Sequence, residues 1–282
     1  MPPKHPEADT ARGYAVRRVD RFDRHGHAQI DDAVTEEVPV AMLYNELPFA
    51  VMMVTPLDLE DFALGFSLSE GLIAAPAELT GVEVRTRLEG VELAMQVDAG
   101  TLEQRAGSYG ERLLPGRSGC GLCGARTLED AVRHPAPVGD GPRIDAAVLE
   151  HALDSLRAAQ PVNAATGSVH AAAWCHADGR IAMVREDVGR HNALDKLIGA
   201  MAKAAVDPQR GFLLVTSRAS YEMVTKAASA GITIMAAISA PTALAIHLAQ
   251  TTGLTLVGFA RPGSHVVYTH PQRLLHVAGA QA

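Results

Sequence analysis

Residues 38–56, "VPVAMLYNELPFAVMMVTP", hold two runs of β-branched and apolar residues on either side of Asn45-Glu46, and the pattern predicts a hairpin. The period then changes. In "DLEDFALGFSLSEGLI" the apolar residues Leu59, Phe62, Ala63, Phe66 and Leu72 recur at helical spacing, with Thr55 or Asp58 placed to cap the first turn. "GVEVRTRLEGVELAMQV" returns to a period of two around Glu89-Gly90 and predicts a second hairpin. These elements predict a small α+β subdomain over residues 13–100. Residues 1–12, "MPPKHPEADTAR", have prolines and charges but no apolar period, and read as a disordered tail.

A second rhythm starts at Asp145. "DAAVLEHALDSLRAAQ" predicts a helix, "SVHAAAWCHADGRIAMVRED" a hairpin turning at Asp178-Gly179, and "GRHNALDKLIGAMAKAA" a helix. "GFLLVTS", "ITIMAAIS" and "LTLVGFARPG" are short apolar strands, separated by the helices "YEMVTKAASAG" and "PTALAIHLAQTTG". The order α-β-β-α-β-α-β-α-β over residues 143–282 predicts the α/β class, a three-layer α/β/α sandwich around a mostly parallel sheet. Such sheets carry their functional loops at the strands' carboxyl ends. Three corners there are polar: "VREDVGRHNALDK" with Asp187, Arg190, His191 and Asp195, "TSRASYE" with Ser217, Arg218 and Ser220, and "ISAPTA" with Ser239 and Thr242. Helix starts with arginines beside them bind anions, so a phosphate-bearing ligand such as a nucleotide fits. The plainer reading is that Ser, Thr and Asp here are N-caps, that the arginines are surface residues, and that His191 and His170 are structural.

Between the two units, residues 101–142 are rich in glycine and closed by prolines, which predicts a long, partly mobile connection. It carries Cys120 and Cys123, two of the three cysteines, in "GRSGCGLCGARTLED". The formal net charge of −7 argues against general nucleic-acid binding but leaves room for a local basic pocket. The longest apolar stretch, Ile232 to Ala249, is broken by Pro241 and His247, so no membrane span is expected and a cytoplasmic protein is.

The cysteine pair has several readings. A structural zinc site needs four ligands, but a second CxxC is absent, Cys175 and His176 are adjacent on a strand and so point to opposite faces, and the spacing of His134 matches no known pattern. The order of the second unit is also that of zinc-dependent cytidine deaminases, which require H-x-E and P-C-x-x-C at the two crossover helices. Here "HNA" puts Ala193 where the general acid/base would be, and "SRASYE" has no cysteine, so the fold can be shared without zinc or the deaminase chemistry. A redox dithiol and two incidental thiols remain. Arg117 and Arg126 favour thiolate, and the flanking glycines admit a partner's sulfur.

The chain resembles the formate dehydrogenase accessory sulfurtransferase family, FdhD. The resemblance rests on "NELPFAVMMVTPLDLEDFALGFSLSEGLI", "GRSGCGLCG", "TGSVHAAAW", "REDVGRHNALDKLIG", "SRASYEMVTKAASAGI", "SAPTALAI" and "GFARPG", in that order along nearly the whole chain. It departs from the expected pattern at Gly167-Ser168, where two glycines are expected. The resemblance implies a homodimeric sulfur carrier with a deaminase-like core lacking zinc. Cys120 or Cys123 would take persulfide sulfur from a cysteine desulfurase, with Cys120 favoured by family position. The sulfur would pass to the molybdenum or tungsten centre of a bis-molybdopterin guanine dinucleotide cofactor before it enters formate dehydrogenase. The implied cofactor contacts are Phe259, Ala260, Arg261, Pro262, Gly263 and Ser264, with His191 and Arg218 at the corners beside them. The rival is a chaperone that holds the cofactor and uses the cysteines only structurally.

Overall fold

A computed structural model describes residues 12–98, 100 and 135–276. The cysteine pair Cys120 and Cys123 and the tail at residues 1–11 lie outside the described residues.

The first unit is a four-stranded sheet with one helix. Strands β3 (Val38–Tyr44), β4 (Leu47–Val54), β5 (Leu79–Thr86) and β6 (Val91–Val97) lie in the order β4-β3-β6-β5. Asn45 and Glu46 both take positive φ, 50° and 66°, as a two-residue hairpin turn demands. Asn45 also donates to the Val97 carbonyl at 2.8 Å and accepts from its N–H at 3.0 Å, which ties the turn to β6. Helix α1 (Leu59–Ser69) covers one face, burying Phe62 and Phe66 against Val40, Met42, Leu93 and Met95. Neither expected cap acts as one. Asp58 holds the N-cap position in a left-handed conformation without a side-chain bond, and Thr55 instead accepts from the Val188 N–H at 3.1 Å.

The second unit is a six-stranded sheet in the order β13-β12-β11-β10-β8-β9. Its strands are β8 (His170–His176), β9 (Ile181–Asp187), β10 (Gly211–Val215), β11 (Ile234–Ala237), β12 (Thr255–Arg261) and β13 (Ser264–Val267). Alternate side chains serve two cores. Ala172, Trp174, Leu213, Val215, Met235 and Leu256 pack under α4 (Arg190–Lys203), α5 (Tyr221–Ser229) and α6 (Ala243–Thr252). Ala173, Cys175, Phe212, Leu214, Ile234 and Val257 face α2 (Ala146–Leu156), which precedes the short α3 (Pro161–Thr166). Two short strands, β7 (Ile144–Asp145) and β14 (Leu274–Leu275), pair in parallel beside α2. This is the α/β/α, cytidine-deaminase-like core that the sequence predicts. The sheet is nevertheless not mostly parallel. Only β10–β11 and β11–β12 run parallel, while β8–β9, β8–β10 and β12–β13 are antiparallel. The reason is that β8–β9 is a hairpin, and the chain reverses at Gly263 (φ 77°) to add β13, which the sequence pattern does not reveal.

The two units meet where α1 crosses α4. A Cβ at Gly65 would fall on the Asp195 carbonyl, and one at Gly199 on the Asp61 carbonyl. Only glycine permits this approach. Alanine normally favours a helix by ~1 kcal/mol over glycine, so Gly65→Ala or Gly199→Ala tests the packing with an opposite sign. Each is expected to destabilise by at least ~1–3 kcal/mol through overpacking, read as a lower urea midpoint. An unchanged or raised midpoint would contradict the close crossing.

Two buried ion pairs flank that crossing. Lys196 Nζ lies 2.7 Å from Asp187 Oδ2, both side chains fully buried, and donates to the Thr55 carbonyl at 2.8 Å. Burial pulls the Lys196 ammonium below its ordinary range, with Asp187 opposing. Asp187 accepts from the Thr55 N–H, the Gly189 N–H and Asn192 Nδ2. Lys226 is shared by Asp195, Ser69 and Glu70.

A third feature has no counterpart in the predicted elements. Residues Tyr14–Asp23 (β1) and Gly26–Thr35 (β2) form a two-stranded antiparallel ribbon with a continuous register from Tyr14↔Thr35 to Asp23↔Gly26.

Candidate functional site

The six-stranded sheet brings the three polar corners to one edge. The antiparallel pairing His170↔Asp187 places the start of β8 and the end of β9 level with each other. The Thr216 N–H reaches the Ala171 carbonyl, which sets the end of β10 beside them. The corner after β10 is laced to the one after β11: Ala219 donates to Ala240, and Thr242 donates back to Ala219. Phe259 then donates to Ser239, which fixes the end of β12. A Cβ at Gly258 would come within 2.8 Å of Pro241, so this last approach also depends on glycine.

At the left of this edge, α4 and α5 begin side by side. His191 Nε2 lies 2.7 Å from Glu222 Oε2, as an ion-pair contact whose alignment falls short of a hydrogen bond. The His191 contact holds the Glu222 carboxyl below its ordinary range and outweighs burial, with Lys226 and Arg190 adding to it. His170 is pushed down by burial and by the Arg190 and His191 charges, so its neutral form is favoured. The Ser220 hydroxyl, at the N-cap position of α5, makes no capping bond and is buried without a partner. Arg190 Nε is likewise buried without a hydrogen bond. Arg218 is exposed.

At the right, β12 bends before it ends. Phe259 adopts a positive φ of 50°, which is strained for an aromatic residue, within an irregular stretch between Gly258 and Arg261. Its ring is 41% exposed. Ala260 is buried, and Arg261, Pro262, Gly263 and Ser264 form the exposed turn into β13. His191 and Arg218 lie at the same end of the sheet as this turn.

Arg190, Arg218 and Arg261 have no ion-pair partner among the described residues. Elsewhere Arg17, Arg18, Arg85, Arg87, Arg180 and Arg185 each hold a carboxylate. Arg218 and Arg261 are exposed at this end of the sheet, and the Arg190 charge acts on Glu222 there.

Several candidates turn out to serve structure. Asp187 and Asp195 point inward into the ion pairs described above. Thr242 caps α6 by accepting from the Ala245 N–H at 3.3 Å. Ser217 is buried and donates to the Arg218 carbonyl at 3.0 Å. Glu222 is the residue that sequence reasoning passes over, because a glutamate in a first helical turn is ordinary dipole compensation. Among the described residues, no three His, Cys, Asp or Glu side chains gather as metal ligands do. No helix there is long and apolar enough to cross a membrane.

Fold and edge together define a protein with a deaminase-like α/β/α core and polar, arginine-bearing corners at one end of its main sheet. Comparison with known proteins gives the class its family. The pattern of the FdhD/NarQ family matches residues 35–275, and the chain belongs to that family. A sulfur carrier protein FdhD from Xanthomonas euvesicatoria pv. vesicatoria is 56% identical over 265 residues, 93% of this chain and 92% of the relative. One of the same name from Cupriavidus necator is 48% identical over 96% of this chain and 93% of its own. A crystal structure assigned to a formate dehydrogenase accessory protein from Desulfotalea psychrophila superposes with a TM-score of 0.73 at 26% identity. That match covers 93% of this chain and 99% of the other.

Proposed function

We propose that this protein is a cytoplasmic sulfur carrier acting in the maturation of formate dehydrogenase, as its relatives' names indicate for them. A thiolate at Cys120 or Cys123 attacks the terminal sulfur of a cysteine desulfurase persulfide. A new S–S bond forms, and the desulfurase cysteine leaves as a thiolate. The loaded sulfur is then delivered to the metal centre of a bis-molybdopterin guanine dinucleotide, held as cargo and not as a resident cofactor. If the second cysteine attacks the carrier persulfide, the outer sulfur departs as hydrosulfide and a Cys120–Cys123 disulfide remains. Two copies act as a homodimer.

The observation that carries the cargo half is the rim itself. Arg218 and Arg261 are exposed and without an ion-pair partner among the described residues, Arg190 stands at the start of α4 beside His191 and Glu222, and the exposed Phe259 offers a face for a base. The helix starts of α4, α5 and α6 open on the same edge. The sulfur half rests on the CxxC, which lies within the stretch that matches the family pattern.

The test is activation of formate dehydrogenase in cells lacking the native carrier. The Cys120→Ala/Cys123→Ala variant is expected to give no activation while still folding and binding cargo. Full activation by that variant would instead establish a cofactor-holding chaperone without sulfur transfer.

A further inference from the structure

We propose that Glu222 is a positioning residue for His191: it holds the imidazole with a hydrogen on Nε2, so that Nδ1 is the atom that meets a phosphate of the cargo. The inference rests on the nucleotide-bearing cargo proposed above and names how one end of the site takes it.

His191 is the second residue of α4 and Glu222 the second of α5. His191 Nε2 and Glu222 Oε2 are 2.7 Å apart. Two lone pairs repel at that distance, so the ring nitrogen carries a hydrogen there, and the tautomer is fixed. A neutral His191 then has a bare lone pair on Nδ1, which repels an anion. A protonated one has an N–H there, which attracts it. Nδ1 has no hydrogen-bond partner among the described residues.

The surroundings separate this pair from the structural ones. Lys196–Asp187 and Lys226–Asp195 lie inside the molecule, and further hydrogen bonds satisfy both. His191 and Glu222 instead keep 12% and 20% of their side chains exposed. Beside them in sequence, the Ser220 hydroxyl and Arg190 Nε are buried without a hydrogen-bond partner. Both can donate, as can the N–H groups that open α4 and α5. A phosphate, with several acceptor oxygens, suits that set of donors. A carboxylate would ordinarily spoil such a site. Glu222 fits because attraction at contact with the ring exceeds repulsion across the width of an imidazole.

The other charges nearby favour the same assignment. Lys226 and Arg190 act on Glu222 alongside His191 and keep it ionised. His170 is pushed down by burial and by the Arg190 and His191 charges, with Asp187 opposing, so its neutral form dominates at neutral pH. That leaves His191 as the ring whose proton the phosphate reads.

The test uses the full chain and guanosine diphosphate, with calorimetry from about pH 5.5 to about pH 8. The terminal phosphate titrates near pH ~6 in every arm, so only differences between chains are read. Glu222→Gln keeps an acceptor for Nε2–H and removes the charge. It is expected to bind no more weakly than wild type at the acid end and roughly threefold or more weakly at the alkaline end. In a His191→Asn background the same substitution is expected to change nothing, and Glu60→Gln on α1 serves as the unchanged control. Nitrogen NMR of labelled histidine, assigned with His191→Asn, is expected to show Nε2 protonated throughout and Nδ1 gaining its hydrogen when the nucleotide is added. A wild type that does not bind guanosine diphosphate would remove the nucleotide reading itself. A loss in Glu222→Gln that is equal at every pH, the same loss in the His191→Asn background, or a hydrogen on Nδ1 of neutral His191 would overturn the positioning role alone.

Discussion

Lys226→Ala is expected to lower the stability of the fold by ~3–5 kcal/mol, the loss typical when one member of a buried ion pair is removed. Lys226 Nζ is 2.9 Å from each oxygen of Asp195, 2.9 Å from Ser69 Oγ and 2.8 Å from Glu70 Oε1. Burial draws its pKa down, but the Asp195 and Glu70 carboxylates outweigh burial and hold the ammonium above its ordinary range. The ring of Phe66 lies 5.3 Å beneath it. Without the ammonium, the fully buried Asp195 carboxylate has only the Ser69 hydroxyl, at 2.6 Å, for compensation. Because Ser69, Glu70 and Phe66 belong to the first unit while Asp195 and Lys226 belong to the second, the loss loosens the junction of the two. Urea unfolding of Lys226→Ala, Asp195→Asn and the double variant Asp195→Asn/Lys226→Met checks this. The double variant is expected to recover much of the single loss, since the fully buried position 195 then carries no charge. Single variants as stable as the wild type would contradict the assignment.

The second large effect concerns the rim. Arg190→Ala, Arg218→Ala and Arg261→Ala are each expected to weaken binding of guanosine diphosphate at least tenfold. A hydrogen bond to a charged group contributes ~1.5–3 kcal/mol, and ~1.4 kcal/mol is tenfold in affinity. Calorimetry on the three variants reads the effect, and the wild-type affinity is expected to fall with added salt as exposed charges are screened. Arg85→Ala serves as a control, because its guanidinium is already held by Glu46 and Glu83 far from this edge. Affinities that do not change in the three rim variants would mean that the nucleotide contacts lie elsewhere.

The alternation of apolar strands and helices from residue 145 onward is legible because two cores demand it. Trp174 and Leu213 face one core while Cys175 and Phe212 face the other, so each strand is apolar on both sides. The turns at Asn45-Glu46 and Asp178-Gly179 are legible because asparagine and glycine accept the positive φ that Asn45 and Gly179 adopt. The ribbon is not legible, because its alternation is hidden: Arg18 pairs with Asp31 opposite it and Asp20 reaches His27 diagonally, on the same face as Val16 and Phe22. A pattern is set by what covers a strand, and this chain does not cover its own ribbon.

The site divides the same way. The corners were visible as polar residues after apolar strands, and the sheet does gather them. Which of those residues turn inward and which stay at the surface is not legible from sequence. Asp195 and Lys226 are 31 residues apart in sequence, and a helical lysine that pairs inward looks like one that faces water until the crossing of α1 and α4 is known. The pairing of His191 with Glu222 depends in turn on α4 and α5 starting side by side.

Sulfur loading of the CxxC is read by intact-mass measurement of the chain after incubation with a cysteine desulfurase and cysteine. The expected result is a gain of one sulfur atom per chain, mapped to the peptide holding Cys120 and Cys123, removed by a reducing thiol and absent from Cys120→Ala/Cys123→Ala. No gain in mass on the wild type, or an equal gain on the double variant at Cys175, would contradict it.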